Sequence, residues 1–350
     1  MKVISVNASG HYDIIIGTGL LSNAGEYIQK VQKKCKVAII SDTNVWPIYG
    51  ETLNNSLLNS GFSPVSFVFP AGEASKNSET YFQILNFLAK ENLTRTDLVV
   101  ALGGGVVGDI AGFAAATFLR GVRFVQIPTS LLAMVDSSVG GKTAIDLPAG
   151  KNLVGAFKQP LLVLCDISAL TSLPYSYFVD GCAEVVKYGM LYDRALLAYL
   201  TESGLNFDRE NVIARCIAWK RDVVQEDEFD NKQRQKLNLG HTIGHGIESV
   251  SNYEISHGRA VAAGMAIITR AAVHFGYCNI KAYEALEACL RQFGLPLGTD
   301  ISADELYSSA LSDKKRSGGS VNLIIPRQAG QCDIIPTPVE KMKSFIEAGL

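Results

Sequence analysis

The sequence lacks the charge imbalance that marks proteins binding nucleic acid or anionic membrane surfaces. Its 350 residues carry 32 basic and 34 acidic side chains, which gives a formal net charge of −2. With so little excess of either sign, no long-range field attracts a polyanion. We therefore expect no nucleic-acid partner and no membrane partner, and any anion-binding site must be built locally from a few cations.

Paired cysteines are also missing from the sequence. The seven cysteines are scattered and odd in number, and no two of them have the CxxC spacing of a redox or zinc site. Such thiols are typical of a reducing compartment, and the first residues alternate like a strand instead of forming a secretory signal. These observations predict a cytoplasmic protein.

Only one segment, Leu98 to Leu119, is apolar enough to resemble a membrane span, and Asp109 is its single charge. Because a charge is costly in lipid, a strand, a glycine turn and a helix explain this segment better. Gly103, Gly105 and Gly108 satisfy G-x-G-x-x-G at that turn, a spacing that lets a pyrophosphate approach a helix N-terminus. Tight packing of helix against strand is the alternative explanation.

The position of this motif is unusual for a dinucleotide fold. It follows a strand near residue 100 and not the first strand, and no acidic residue stands about 20 positions further on. Asp42 follows the apolar run Val37–Ser41 and is a candidate ribose partner, since ligands bind beyond the carboxyl ends of parallel strands. We still favour a nucleotide site.

Apolar runs alternate with helical stretches over the first half of the chain, which predicts a mainly parallel sheet. After Asp166 the strand-like runs nearly vanish until Val321–Ile325. We predict an α/β nucleotide-binding domain over residues 1–166 and an all-α domain over residues 167–350. The segments of helical length in the second domain are 182–202, 209–228, 235–250, 259–276 and 281–293.

Histidine is scarce, yet three of the five histidines fall at His241, His245 and His257. His241 and His245 are four apart, so on a helix their Cβ atoms lie roughly 5–6 Å apart on one face. Two imidazoles, one carboxylate and an open position make a catalytic type of metal site. From the spacing alone, a pair of hydrogen-bonded histidines in a polar interior is an equal alternative.

Several cations stand between apolar segments. Lys142, Lys151 and Asn152 lie in loops rich in glycine and serine, which favours an anionic substrate over the usual exposed lysine. Glu184 and Lys187 are three apart within an apolar helical run, and this predicts a shared buried face.

The spacing of Arg234, Asn238 and His241, by four and then three, predicts that they share a face of the next helix. Lys220 and the pair Lys314-Lys315 are further cations.

These motifs together resemble the 3-dehydroquinate synthase family, and the resemblance covers nearly the whole chain. The segments that carry it are Gly103–Asp109, Pro128–Asp136, Gly140–Asp146, Gly150–Gly155, Ala183–Lys187, Asn238–His245 and His257–Met265.

The resemblance implies an N-terminal NAD-binding domain, a helical C-terminal domain and an active site in the cleft between them. It implies zinc or cobalt held by Glu184, His241 and His257, with His245 as a proton shuttle or orienting partner. The implied reaction converts 3-deoxy-D-arabino-heptulosonate 7-phosphate (DAHP), a phosphorylated sugar acid, to 3-dehydroquinate and phosphate. Transient oxidation by NAD, phosphate elimination, re-reduction and aldol closure are its steps, and a homodimer is expected.

The resemblance also carries over two sets of contacts. The implied substrate contacts are Arg120, Asp136, Lys142, Lys151, Asn152, Lys187, Lys220, Arg234, Asn238, His245 and one of Lys314 or Lys315. The implied NAD contacts are Asp42, Glu73, Lys76, Gly104, Gly105, Asp109, Thr129 and Ser130, with Lys142 and Lys151 counted in this set as well.

Three positions depart from the family pattern, namely Ser176, Asp230 and Arg259, and none of them is an implied metal ligand. Three alternatives stand beside this interpretation: a related sugar-phosphate cyclase, a polyol dehydrogenase of the glycerol dehydrogenase type, and a non-catalytic binding protein. The many lysines argue against a dehydrogenase, since a neutral polyol needs no such cations. The presence of Glu184, Lys142 and His257 argues against a non-catalytic protein.

Overall fold

A computed structural model describes the backbone of residues 1–314 and 319–350. The predicted substrate contact from Lys314 or Lys315 lies outside the described side chains. The chain divides into two compact units, the first made of Met1–Pro174 with Arg209–Phe229 and the second of Tyr175–Asp208 with Asp230–Leu350. Among the described helices, none is both long enough and apolar enough to cross a membrane.

Strands are concentrated in the first half of the chain. They are β1 (Lys2–Asn7), β2 (His11–Gly17), β3 (Lys36–Asp42), β4 (Ser63–Phe69), β5 (Leu98–Gly103), β6 (Arg123–Pro128), β7 (Lys142–Leu147), β8 (Gly150–Phe157), β9 (Leu162–Asp166), β10 (Ser320–Gln328) and β11 (Gln331–Pro338).

Helices alternate with the early strands and then dominate the later sequence. They are α1 (Ala24–Val31), α2 (Trp46–Asn59), α3 (Ser78–Lys90), α4 (Gly105–Thr117), α5 (Tyr175–Leu191), α6 (Arg194–Ser203), α7 (Arg209–Glu226), α8 (His241–Val250), α9 (His257–His274), α10 (Ile280–Gln292), α11 (Ala303–Lys314) and α12 (Val339–Gly349).

The first unit is built on a seven-stranded sheet in the order β1-β2-β9-β6-β5-β3-β4. All neighbours pair in parallel except β1 and β2, so the predicted mainly parallel sheet is confirmed. Strand β3 has β4 on one side and β5 on the other, so the strand order reverses between β3 and β5. Such a switch point leaves a crevice at the carboxyl ends of the two strands, which here are Asp42 and Gly103.

Helices cover both faces of this sheet. Ile84 from α3 and Ile110 from α4 lie in one fully buried apolar cluster, and Ile28 from α1 and Leu53 from α2 lie in another. Strands buried on both faces read as continuous apolar runs, which is why the sequence predicts them well.

Two features of the first unit differ from the sequence-based expectation. Helix α7 packs against β1 and β2, so the structure groups it with the sheet, whereas a division at residue 166 assigns it to the second domain. Strands β7 and β8 form a separate antiparallel hairpin where loops are predicted. The outer strand of this hairpin is mostly exposed, so it lacks the apolar run that would predict a buried strand.

The second unit is helical, as predicted, apart from the antiparallel hairpin β10–β11 that contains the late strand-like runs. Helices α8 and α9 pack closely together, because glycines stand where they meet. A Cβ added to Gly264 would lie 2.1 Å from the carbonyl oxygen of Gly240, and one added to Gly244 would lie 3.1 Å from the backbone of Ala260.

Candidate active site

The glycine turn between β5 and α4 contains glycines with two different roles. A Cβ at Gly103 would overlap Val107 at 2.4 Å, and one at Gly108 would lie 2.8 Å from Gln126, so packing alone requires these two glycines. A Cβ added at Gly104 would lie 3.5 Å from its nearest neighbour, and one added at Gly105 would lie 3.3 Å from its nearest neighbour. Packing does not require a glycine at Gly104, and at Gly105 only the Ser137 hydroxyl would have to give slightly, so both glycines leave the backbone open to a ligand.

Four of the predicted NAD contacts lie together at this turn. Gly104 precedes α4 and offers no side-chain cap to its first N–H groups, which suits a phosphate at a helix N-terminus. The Thr129 N–H donates to the Gly103 carbonyl over 3.0 Å, and the Ser130 hydroxyl lies beside Gly104. The fit of a pyrophosphate rests on this uncapped, glycine-lined helix end.

Asp42 stands across the switch point, at the end of β3. Its Oδ1 accepts hydrogen bonds from the N–H groups of Asn44 at 2.8 Å and Val45 at 2.9 Å. These bonds fix the carboxylate at the carboxyl end of the strand, where the sequence predicts a ribose contact.

A second cluster surrounds Lys76, whose side chain is 5% exposed. Its Nζ lies 2.6 Å from Oδ2 of Asp109 and 2.5 Å from Oδ1 of Asn152. Glu73 lies 4.0 Å from the same Nζ and 3.6 Å from that of Lys151. The structure therefore brings three predicted NAD contacts together with two predicted substrate contacts.

For Asp109 and for Lys76, burial and the neighbouring opposite charge shift the pKa in opposite directions. Burial raises the pKa of Asp109, and the nearby Lys76 only partly opposes that shift. Burial lowers the pKa of Lys76, but the nearby carboxylates, Asp109 first and then Glu73, together outweigh it and the net shift is upward. Asp146, which sequence reasoning missed, accepts the Asn152 N–H over 2.8 Å and so fixes the hairpin beside Lys76.

The remaining predicted residues of the first unit are more dispersed. Lys220 on α7 pairs with the side chain of Asp136 and donates to its carbonyl over 2.5 Å. Lys142 is exposed at the start of β7. Arg120 is exposed and has a left-handed backbone with φ 65°. Helix α4 rises 1.5 Å per residue and therefore separates Arg120 from the glycine turn by about 18 Å.

In the second unit, three helices direct metal-ligating atoms to one point. Glu184 comes from α5, His241 from α8 and His257 from α9, and one ligand atom from each lies within 4.8 Å of the others. Nε2 of His241 is 3.5 Å and Nε2 of His257 is 3.3 Å from the same oxygen, Oε1 of Glu184. Two imidazole nitrogens and a carboxylate oxygen are the donors that zinc or cobalt binds.

The surroundings of Glu184 support the fit of a metal. Its side chain is 1% exposed, and neither oxygen accepts a regular hydrogen bond from the part of the chain that the structure describes. Lys187 is equally buried and forms an ion pair with Oε2 of Glu184, which confirms the predicted shared face. Because a buried carboxylate is costly without partners, a cation beside Oε1 would complete its neutralisation.

The two histidines differ in electrostatic environment. Burial and the nearby charge of Lys187 place the pKa of His241 well below its usual 6.5, so this imidazole is neutral, as a metal ligand must be. Burial would also lower the pKa of His257, but the carboxylates of Glu184 and Glu248, one beside each ring nitrogen, together outweigh it and raise the pKa to about 10.

Sequence reasoning missed two carboxylates near this cluster. Glu248 lies seven residues after His241 on α8, with its Oε2 3.2 Å from Nδ1 of His257. Asp180, one turn before Glu184, accepts the Ser256 hydroxyl at 2.5 Å and the Arg259 N–H at 3.1 Å. Helical spacing from residues already singled out would have found both.

His245 lies beside the three predicted ligands and not apart from them. Its ring centroid is 5.4 Å from that of His241 and 6.1 Å from that of His257, and its side chain is exposed. One ligand atom from each of His245, Glu248 and His257 also falls within 4.8 Å of the others. The role of His245 as a proton shuttle stays a prediction.

The predicted shared face of Arg234, Asn238 and His241 is wrong. Residues Gln233–Asn238 form a 3₁₀ helix, and Gly240 then adopts a left-handed backbone with φ 78°. Because α8 begins only at His241, the three side chains do not follow one helical spacing. Arg234 is buried, whereas Asn238 is exposed.

Two features together define the class of protein. The first is a parallel sheet with a glycine turn at its switch point, and the second is a helical unit in which two imidazoles lie beside a buried carboxylate. Two solved sugar-cyclase structures have this fold. A 2-deoxy-scyllo-inosose synthase matches with a TM-score of 0.90 and 24% identity, covering 100% of both chains. A 2-epi-5-epi-valiolone synthase from Streptomyces hygroscopicus matches with a TM-score of 0.89 and 25% identity, covering 100% of this chain and 98% of the other.

Sequence comparison gives the particular family. The family model for the 3-dehydroquinate synthase N-terminal region matches residues 66–180, and that for the C-terminal region matches residues 181–316. A 3-dehydroquinate synthase from Streptococcus suis is 44% identical over 343 residues, covering 96% of this chain and 97% of its own length. The chain belongs to the 3-dehydroquinate synthase family.

Proposed function

We propose that this protein is a 3-dehydroquinate synthase, a lyase of the shikimate pathway and of aromatic amino-acid biosynthesis. Its substrate would be DAHP and its products 3-dehydroquinate and phosphate. The observation that carries the proposal is the convergence of His241 and His257 on one oxygen of buried Glu184, in a chain of this family. A cytoplasmic location and a homodimer belong to the same proposal.

The metal would be zinc or cobalt, held by Glu184, His241 and His257. The solved 2-deoxy-scyllo-inosose synthase contains Co²⁺ with NAD⁺, and the 2-epi-5-epi-valiolone synthase contains Zn²⁺ with NAD⁺. When bound, such a metal supplies a Lewis acid for the substrate's hydroxyl groups. Three protein ligands would leave coordination positions open for those hydroxyls.

The nucleotide would be NAD, bound by the first unit. The uncapped end of α4 at Gly104 and Gly105 would receive the pyrophosphate, with Thr129 and Ser130 beside it. Asp42 would contact a ribose. When bound, NAD supplies a hydride acceptor that is restored within each cycle.

The cations would bind the substrate's two acidic groups, a phosphate and a carboxylate. Lys142, Lys151 and Lys220 suit a phosphate as point charges, and Arg234 can pair with either group in a bidentate manner. Asn152 would add a neutral hydrogen bond. Holding the substrate in one orientation is the main contribution of these residues to the rate.

His245 would move a proton at one of its ring nitrogens. It is exposed on α8 next to His241 and His257, so a substrate bound at the metal would lie within its reach. An imidazole titrates near neutral pH, which suits a group that both accepts and donates a proton. Lys187, held against Glu184, would keep the site's charge balanced.

The test is the release of phosphate from DAHP with a catalytic amount of NAD, before and after chelation of the metal. We expect release that stops on chelation and returns when zinc or cobalt is added. Lys142→Ala should lose most activity, whereas Lys90→Ala, a matched change at an exposed lysine of α3, should not. Net NADH formation without phosphate release would indicate a dehydrogenase instead.

A second candidate is a related cyclase with another sugar phosphate as substrate, which the match to 2-deoxy-scyllo-inosose synthase favours. Glucose 6-phosphate and sedoheptulose 7-phosphate, assayed beside DAHP, separate the candidates. Turnover of either compound in preference to DAHP would replace the first proposal.

A further inference from the structure

We propose that Glu248 is the positioning residue of the metal site, because it orients the imidazole of His257 toward the metal. The inference rests on the proposed function, since it assumes a metal at Glu184, His241 and His257. It adds a residue that does not itself contact the metal.

The two ring nitrogens of His257 face two different carboxylates. Nε2 lies 3.3 Å from Oε1 of Glu184, and Nδ1 lies 3.2 Å from Oε2 of Glu248. A carboxylate that accepts the Nδ1–H leaves the lone pair of a neutral imidazole on Nε2. This is the nitrogen on the side of Glu184 and His241, where a metal ligand is needed.

The backbone of His257 is fixed by other groups. It is the first residue of α9, and the start of that helix is held by Asp180, which accepts from the Ser256 hydroxyl and the Arg259 N–H. What remains to be set is the rotation of the ring about its broad χ2 torsion. The contact with Glu248 selects the rotation that directs Nε2 toward Glu184.

The burial of Glu248 is also consistent with this task. The residue is 2% exposed, and a buried carboxylate is costly unless a hydrogen-bonded partner offsets it. It stands two helical turns after His241 on α8, so one face of that helix presents a metal ligand and the group that orients another ligand. Carboxylates that hold ligating histidines in this way strengthen metal binding 10–100-fold.

A competing arrangement uses the same atoms. Because His245, Glu248 and His257 also lie close enough to share an ion, Glu248 would then be a ligand of a second metal. The two arrangements differ in stoichiometry, since a positioning residue leaves one metal per chain.

The experiment is a titration of the metal-stripped full-length protein with Co²⁺, following its visible absorption and the bound metal per chain. Glu248→Gln keeps the shape of the side chain but replaces the carboxylate by a weaker acceptor. We expect Co²⁺ affinity to fall about 10–100-fold and the visible bands to shift, with one metal per chain in both proteins. Glu254→Gln, at an exposed glutamate just before α9, is the matched control and should bind like the unaltered protein.

Two results overturn the inference while leaving the proposed function intact. One is unchanged affinity and spectrum in Glu248→Gln, and the other is two metals per chain in the unaltered protein with one lost in the variant. If the unaltered protein binds no Co²⁺, the metal site of the proposed function fails as well. Should Glu248→Gln not fold, Glu248→Asp keeps the charge at a shorter reach, and an unshifted spectrum in that variant also overturns the inference.

Discussion

Replacing Gly264 by alanine should test whether close packing of α8 on α9 sets the geometry of the metal site. The added Cβ would lie 2.1 Å from the Gly240 carbonyl oxygen and 3.0 Å from the Gly244 nitrogen. Ordinary contact begins at 3.4 Å, so relief of the overlap needs a movement of about 1.3 Å. Because both neighbours are backbone atoms, no side-chain rotation can supply it. His241 directly follows Gly240 and must move with it.

Two opposing effects decide how much stability Gly264→Ala costs. Alanine is favoured over glycine inside a helix by about 0.8–1.0 kcal/mol. Overpacking a rigid core costs about 1–3 kcal/mol, and the backbone overlap puts Gly264→Ala at the upper end of that range. We therefore expect a net loss of about 1–2 kcal/mol in the metal-free protein. Since metal ligands tolerate displacements of only about 0.2 Å, Co²⁺ affinity should fall by at least about tenfold.

Gly246→Ala is the matched control, because it lies in α8 with its added Cβ at ordinary distances of 3.5 Å or more from Leu306. This change should stabilise the protein by about 0.5–1 kcal/mol through helix propensity alone. Thermal unfolding of the metal-free proteins should therefore shift in opposite directions for the two variants. If Gly264→Ala were as stable as Gly246→Ala and bound Co²⁺ equally well, the packing argument would be refuted.

Three further outcomes are expected. His257→Ala should weaken Zn²⁺ binding by more than about 100-fold, whereas His245→Ala should keep the metal and lose phosphate release; metal analysis after gel filtration separates the two. Asp180→Asn should cost about 1–2 kcal/mol in urea unfolding, since it weakens the hold of Asp180 on the start of α9; no change would mean that Asp180 does not stabilise that helix end. The pKa of Lys76 is raised above the unfolded value of 10.5, so its stabilising contribution is complete below that pH and lost as pH rises through the folded pKa. Asp109→Asn should shrink this alkaline loss of stability, and an identical pH profile would contradict the pairing.

The parallel sheet was predictable because each central strand can be recognised from its own residues, without knowledge of what it pairs with. Strands β3 and β5 are buried on both faces, so each appears in the sequence as an unbroken apolar run bounded by polar or glycine residues. The hairpin β7–β8 was not predictable in this way. Most of β8 is exposed, and its conformation depends on pairing with β7 and on contacts such as that of Asn152 with Lys76.

The helical site shows the same division between local and distant information. The i,i+3 spacing of Glu184 and Lys187 inside an apolar run was enough to predict a shared buried face. The same reasoning failed for Arg234, Asn238 and His241, because the first two lie in a 3₁₀ helix and the left-handed backbone of Gly240 separates that helix from α8. A spacing argument assumes a continuous helix, and a single glycine at a positive φ removes that assumption.

The convergence of His241 and His257 follows from glycine positions more than from histidine spacing. The two residues start different helices, and helices normally pack with their axes about 8–10 Å apart. Their ring centroids lie 5.3 Å apart, and Gly240, Gly244 and Gly264 stand where the backbones of α8 and α9 come into close contact. In the segment that runs from Gly240 to Glu248, glycines therefore set the distance between the helices. The side chains between those glycines include metal-ligating groups, so a glycine substitution that separates the helices should also displace these groups.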